Sequence, residues 1–118
     1  MPIVFVISKD WTLRALVRAE LRHAGIEALG MESVDDAGRA IAEGHAPSAI
    51  VLDAAQEPDA SMERQALRNL AGRVPVVLVA SRVERAVPLE GAAALVYRPV
   101  RVIEIVARVK ELLGGQAA

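Results

Sequence analysis

The sequence has no cysteine among its 118 residues. Disulfides, thiolate zinc sites and a cysteine nucleophile are therefore excluded. Aromatics are scarce: Phe5, Trp11 and Tyr97 are the whole set, so the stacking platforms of a single-strand nucleic-acid binder are missing. No apolar run approaches the ~20 residues that span a bilayer. Neither sign of charge dominates, with Lys+Arg 14 against Asp+Glu 15, which removes a global drive toward nucleic acid or a membrane surface. A glycine-rich phosphate loop is lacking too. The first apolar run is followed by Ser8-Lys9-Asp10-Trp11 and not by a Gly-x-Gly pattern, which counts against a dinucleotide fold. The chain opens directly into an apolar run, without the basic segment and cleavage site of a signal peptide. A cytoplasmic protein without membrane or direct nucleic-acid contacts is the expectation.

What is present is aliphatic and ordered. The length suits one domain, and a chain of this size buries roughly two thirds of its unfolded surface. Three short apolar runs read as strands buried on both faces, Ile3–Ile7, Ala49–Leu52 and Val76–Val79, and Ala93–Tyr97 reads as a fifth strand. Ile26–Met31 alternates apolar with small or polar residues and suits a strand near an edge.

Helical spacing fills the gaps. Leu13, Leu16, Val17, Leu21 and Ala24 share one helix face, with Arg14, Arg18 and Arg22 largely opposite, Asp10 as cap and Gly25 as stop. Trp11 is expected to pack against a neighbouring loop. Ser33-Val34-Asp35-Asp36 is a capping-box variant opening a short helix that Gly44 ends. A third helix follows Ser61 and closes at Gly72, carrying Met62, and the stretch before Pro88 has room for only a short fourth. Pro99 opens the last, lined by Val102, Ile105, Val106, Val109, Leu112 and Leu113. The domain spans 1–113, and 114–118 is a flexible C-terminal tail. Five βα units joined by right-handed crossovers make an α/β, doubly wound, five-stranded parallel sheet.

The Ala49–Leu52 run ends abruptly in Asp53, at the mouth where open α/β sheets place their chemistry. His23 and His45 have no partner spacing and read as solvated.

The strand ending in Asp53, the Pro75-led fourth strand and Arg98-Pro99 after the fifth together resemble the receiver domain of two-component response regulators, the CheY-like, flavodoxin-like (βα)5 fold with strand order 2-1-3-4-5. The resemblance covers Ile3 to about Leu113. It implies a role in phosphorelay signal transduction with Asp53 as phosphoacceptor candidate, a cation at Arg98 in the place of the family's lysine, and Mg²⁺ bound by an acidic pair after the first strand. Ser8 and Lys9 stand where that pair is expected, with Asp10 next to them, so the acidic pocket is degenerate and the Mg²⁺ ligands are largely missing. Asp53 is the one acid on a family metal position. Asp10 is better explained as a cap, and nothing fixes Glu57 at the mouth. Ala80 falls on the hydroxyl position, with Ser81 one residue on, where capping of the next helix is the blander reading. Leu95 replaces a switch aromatic, and Pro58 comes one residue late.

An ammonium at Lys9 repels a divalent cation and attracts Asp53. Such an attraction near a surface is about 4 kcal/mol at ~4 Å before desolvation. The expectation is that Lys9, Arg98 or both pair with Asp53. A guanidinium at Arg98 presents a planar fork suited to carboxylate or phosphate, so Arg98 and Ser81 are the candidate contacts to a phosphoryl group or to Asp53 itself.

The resemblance implies protein partners, a histidine kinase or a downstream output protein or domain. It also implies a possible homodimer through the fourth helix, fifth strand and fifth helix. The expected function is an atypical receiver with impaired Mg²⁺-dependent phosphorylation, acting through protein–protein interaction and not an enzyme. The competing readings are a phosphorylation-independent dimerisation or adaptor module, and a small α/β nucleotide-binding or enzymatic domain.

Overall fold

A computed structural model of the chain describes residues 2–53, 74–80, 93–97 and 101–117. In chain order they form β1 (Ile3–Ile7), α1 (Trp11–His23), β2 (Glu27–Met31), α2 (Val34–Ala42), β3 (Ala49–Asp53), β4 (Val76–Ala80), β5 (Ala94–Tyr97) and a C-terminal helix (Val102–Ala117). The strands make one sheet in the order β2-β1-β3-β4-β5, and every neighbouring pair is parallel. The expected fold class and strand order are observed.

Alternation along the strands divides the core in two. Val4 and Val6 of β1, Val51 of β3, and Val77 and Val79 of β4 face Leu13, Val17 and Leu21 of α1 and Ile105, Val106 and Val109 of the C-terminal helix. The intervening residues, Phe5, Ile7, Ile50, Leu52, Val76 and Leu78, lie on the other side, where Ala37 of α2 joins them. A strand turns successive side chains to opposite faces, so strands apolar at every position need cover on both sides. That is the physical content of the uninterrupted apolar runs. β2 is one of the two edge strands, with β5 the other: in β2 Ala28 is buried, while Leu29, Gly30 and Met31 are half-buried.

Helix boundaries follow local chemistry. Asp10 caps α1, its Oδ1 accepting from the backbone N–H of Thr12 at 3.0 Å and of Leu13 at 3.3 Å. Ser33 caps α2 and accepts from the Asp36 N–H at 3.2 Å. Gly25 and Gly44, at φ 82° and 104°, make the left-handed turns after α1 and α2 that a Cβ would strain.

Three expectations are corrected. Leu16 is 52% exposed, because the buried stripe of α1 follows Leu13, Val17 and Leu21, and 100° per residue turns Leu16 off it. Trp11 is 69% exposed at the first turn of α1 and belongs to neither apolar cluster. The last helix runs past Gly114 to Ala117. Unlike Gly25 and Gly44, Gly114 does not adopt positive φ. In a helical conformation glycine costs only about 1 kcal/mol against alanine, a penalty and not a stop. The helices expected after Ser61 and before Pro88 lie outside the described residues.

Candidate functional site at the β1–β3 mouth

Strand order reverses between β1 and β3, so their C-terminal ends open the crevice where sheets of this kind bind ligands. The register pairs Ile7 with Leu52, which brings the following residues, Ser8 and Asp53, side by side. By alternation both side chains continue the face of Val6 and Val51, toward α1. Ser8 is 2% exposed and Asp53 4%, and they are the two buried polar residues among those described. The Ser8 hydroxyl donates to Asp53 Oδ2 at 2.8 Å. A buried polar group without a partner costs roughly 1–3 kcal/mol, and this contact gives each side chain a partner.

The turn after β1 is built on the same hydroxyl. Ser8 Oγ accepts from the Asp10 N–H at 3.0 Å, a serine turn of two residues. Its 3.4 Å approach to the Asp10 carbonyl is the weaker direction for its proton. Asp10 then turns its own Oδ1 to the N-terminus of α1. The Ser8 backbone is tied as well: its N–H donates to the Met31 carbonyl at 3.0 Å, and its carbonyl accepts from Arg14 Nη1 at 2.7 Å. Lys9, between these anchored residues, is exposed.

The Ser8 hydroxyl thus links Asp53 to the Asp10 backbone at one mouth. Arg98 and Ser81, with Glu57 and Pro58, lie outside the described residues. So does the fourth helix of the expected dimer face. Ala80 ends β4 and is buried, and Leu95 pairs with Leu78 in the β4–β5 ladder. His23 and His45 are exposed.

The residue that sequence reasoning missed is Arg14. Helical spacing places it with Arg18 on the face of α1 away from the core, yet both are half-buried. Their stems cross β2 at Gly30, where an added Cβ would lie 2.9 Å from Arg18 Cδ and 3.0 Å from Arg14 Cγ and Cδ. Arg18 Nε reaches the Ala28 carbonyl at 3.4 Å. The available signal was Gly30 itself, since glycine inside a strand often marks a close approach.

Mg²⁺ takes near-octahedral oxygen coordination, commonly from one or two carboxylates plus waters and phosphates. The described donors do not match this well. Asp53 Oδ2 accepts the serine hydroxyl, Asp10 Oδ1 is engaged as a helix cap, and Lys9 stands between Ser8 and Asp10. Among the described residues no group of three or more His, Asp or Glu side chains is placed to hold a metal ion.

No family model and no curated protein matches the chain. Solved structures do match. The chain is similar to a response regulator receiver protein from Burkholderia phymatum, at 27% identity and a TM-score of 0.78, covering 97% of this chain and 96% of that one. The receiver domain of a Francisella response regulator aligns at 18% identity and a TM-score of 0.75, covering 98% and 99%. A response regulator from Thermotoga maritima aligns at 13% identity and 0.79, covering 97% and 98%. At their lower identities the last two show a shared fold alone.

Proposed function

We propose that this chain, which has the CheY-like fold of response regulator receiver domains, is an atypical receiver module of two-component signalling. It works through contacts with other proteins, and Mg²⁺-dependent phosphorylation of Asp53 is impaired. The observation that carries this reading is the 2.8 Å hydrogen bond from Ser8 Oγ to Asp53 Oδ2. In the receiver resemblance the first strand is followed by metal-binding acids, and here the first of those positions supplies a neutral hydroxyl that holds the acceptor.

Phosphoryl transfer places little covalent demand on the protein and depends on positioning and charge neutralisation. Asp53 must present a carboxylate oxygen in line with the phosphorus. The Ser8 hydroxyl engages one of the two oxygens, and Lys9 contributes positive charge where a metal's ligand is expected. Arg98 is the proposed cation opposite Asp53, with Ser81 as a further donor. The partners in this reading are a histidine kinase or an output protein or domain, in the cytoplasm, and the chain has no catalytic reaction of its own. A phosphorylation-independent adaptor or dimeric module, joined through the fourth helix, fifth strand and fifth helix, is the second reading. Lys9 beside the site favours it.

The test is incubation with Mg²⁺ and a small acyl phosphate, or with beryllofluoride, followed by intact mass and titration calorimetry. The expected outcome is an unmodified mass and no saturable Mg²⁺ binding. Stoichiometric addition of one phosphoryl group at Asp53 overturns the impaired-receiver reading.

A further inference from the structure

Arg14 lies one turn into α1, yet its guanidinium reaches back to the turn before the helix. Nη1 donates to the Ser8 carbonyl at 2.7 Å. A charged donor makes a stronger hydrogen bond than a neutral one. Its stem lies over β2, in the space that the missing Cβ of Gly30 leaves, and the Arg18 stem approaches the same glycine. Ser8 is in turn the residue whose hydroxyl holds Asp53.

We propose that Arg14 is a positioning residue for Asp53: laid across Gly30 and bonded to the Ser8 carbonyl, it fixes the turn that keeps the Ser8 hydroxyl on Asp53 Oδ2. The inference rests on the reading above that the serine hydrogen bond restrains Asp53. It adds that the restraint is set from α1 and β2, outside the mouth. Arg14 touches neither Asp53 nor a phosphodonor in this scheme; it acts through Ser8 alone. Gly30 is the second part of the device. An alanine there must lift both arginine stems by a few tenths of an ångström, and Arg14 is then drawn off the turn.

The Asp10 amide reports directly on the device, because its proton is donated to Ser8 Oγ. Native-state hydrogen exchange of that amide is measured in the unaltered chain and in Arg14→Gln, Arg14→Lys, Arg18→Gln and Gly30→Ala. Labelling of Asp53 by a water-soluble carbodiimide with a small amine is mapped by mass in the same set. Arg14→Gln and Gly30→Ala are expected to speed Asp10 exchange about tenfold, the loss of one charge-assisted hydrogen bond, and to raise Asp53 labelling in parallel. Arg14→Lys keeps the stem and a charged donor and recovers part of the protection. Arg18→Gln loses a stem over the same glycine but no contact to Ser8, and leaves the Asp10 rate unchanged.

Equal acceleration in Arg14→Gln and Arg18→Gln would reduce Arg14 to generic packing and overturn the proposal. So would an unchanged Asp10 rate in Arg14→Gln. The phosphodonor assay on the unaltered chain separates the two layers. Ready phosphorylation there defeats the impaired-receiver reading, whatever the exchange rates show, and the exchange rates judge Arg14 alone.

Discussion

A carboxyl group at the end of a buried strand gives up water, and hydrogen bonds or opposite charge must replace it. At Asp53 a neutral hydroxyl from the adjoining strand supplies part of that replacement. Two substitutions at Ser8 test the arrangement from opposite directions. Ser8→Ala removes the donor from a 4%-exposed carboxyl group and the acceptor from the Asp10 N–H. Denaturant unfolding is expected to show a loss of about 1–3 kcal/mol. Ser8→Asp instead sets a second carboxylate beside the first. Like charges at contact repel, so that variant is expected to be less stable than the parent in chelator. Mg²⁺ that binds only the folded form then raises its stability by about 2.7 kcal/mol at a hundredfold excess over Kd, while the parent does not respond. Identical melting of the variant with and without Mg²⁺ would mean that the serine is not what keeps the metal from this mouth.

At the scale of the element, the β1–α1 turn shows where sequence reasoning succeeds and where it stops. Asp10 reads as a cap because the capping pattern is local: one acceptor, two N–H groups, and an apolar stripe beginning three residues on. The apolar strands are equally legible, since burial on both faces disfavours polar residues along their interiors, and Asp53 comes only at the end of β3. Arg14 and Leu16 are misread for a related reason. Helical periodicity ranks residues by direction around an axis, while burial depends on how wide a stripe the neighbouring elements cover. Here a glycine in β2 draws two arginine stems inward, and Leu16 is left outside. That the Ser8 hydroxyl meets Asp53 follows from strand register, which the sequence of either strand alone does not encode. The cap assignment has its own test. Asp10→Asn retains an accepting oxygen and is expected to change stability by a few tenths of a kcal/mol, whereas Asp10→Ala loses about 1 kcal/mol in denaturant unfolding. An Asp10→Asn penalty as large as that of Asp10→Ala would show that the negative charge, and not the cap, is what the site requires.

At the scale of the molecule, the sheet is a slab shared by two apolar clusters, and its strands are not equivalent. β1, β3 and β4 each contribute fully buried residues to both clusters, and each has a hydrogen-bonded strand on either side. β2 has one strand neighbour, and Ala28 is its one fully buried residue. Opening the interior strands breaks both clusters together, so their amides exchange only when the whole domain unfolds. Releasing β2 breaks one ladder and part of each cluster, which is a smaller opening. Native-state hydrogen exchange is therefore expected to protect β1, β3 and β4 to a common, global free energy. The β2 amides that point to β1 should exchange at least about tenfold faster. This ordering bears on the site, because the Ser8 N–H is bonded to Met31 at the end of β2, and loosening of the edge is transmitted to the turn that holds Asp53. Equal protection in β2 and β3 would mean that the β2 edge is closed in solution by a further strand. The mouth would then belong to an assembly, and a single chain would be the wrong unit in which to judge the reactivity of Asp53.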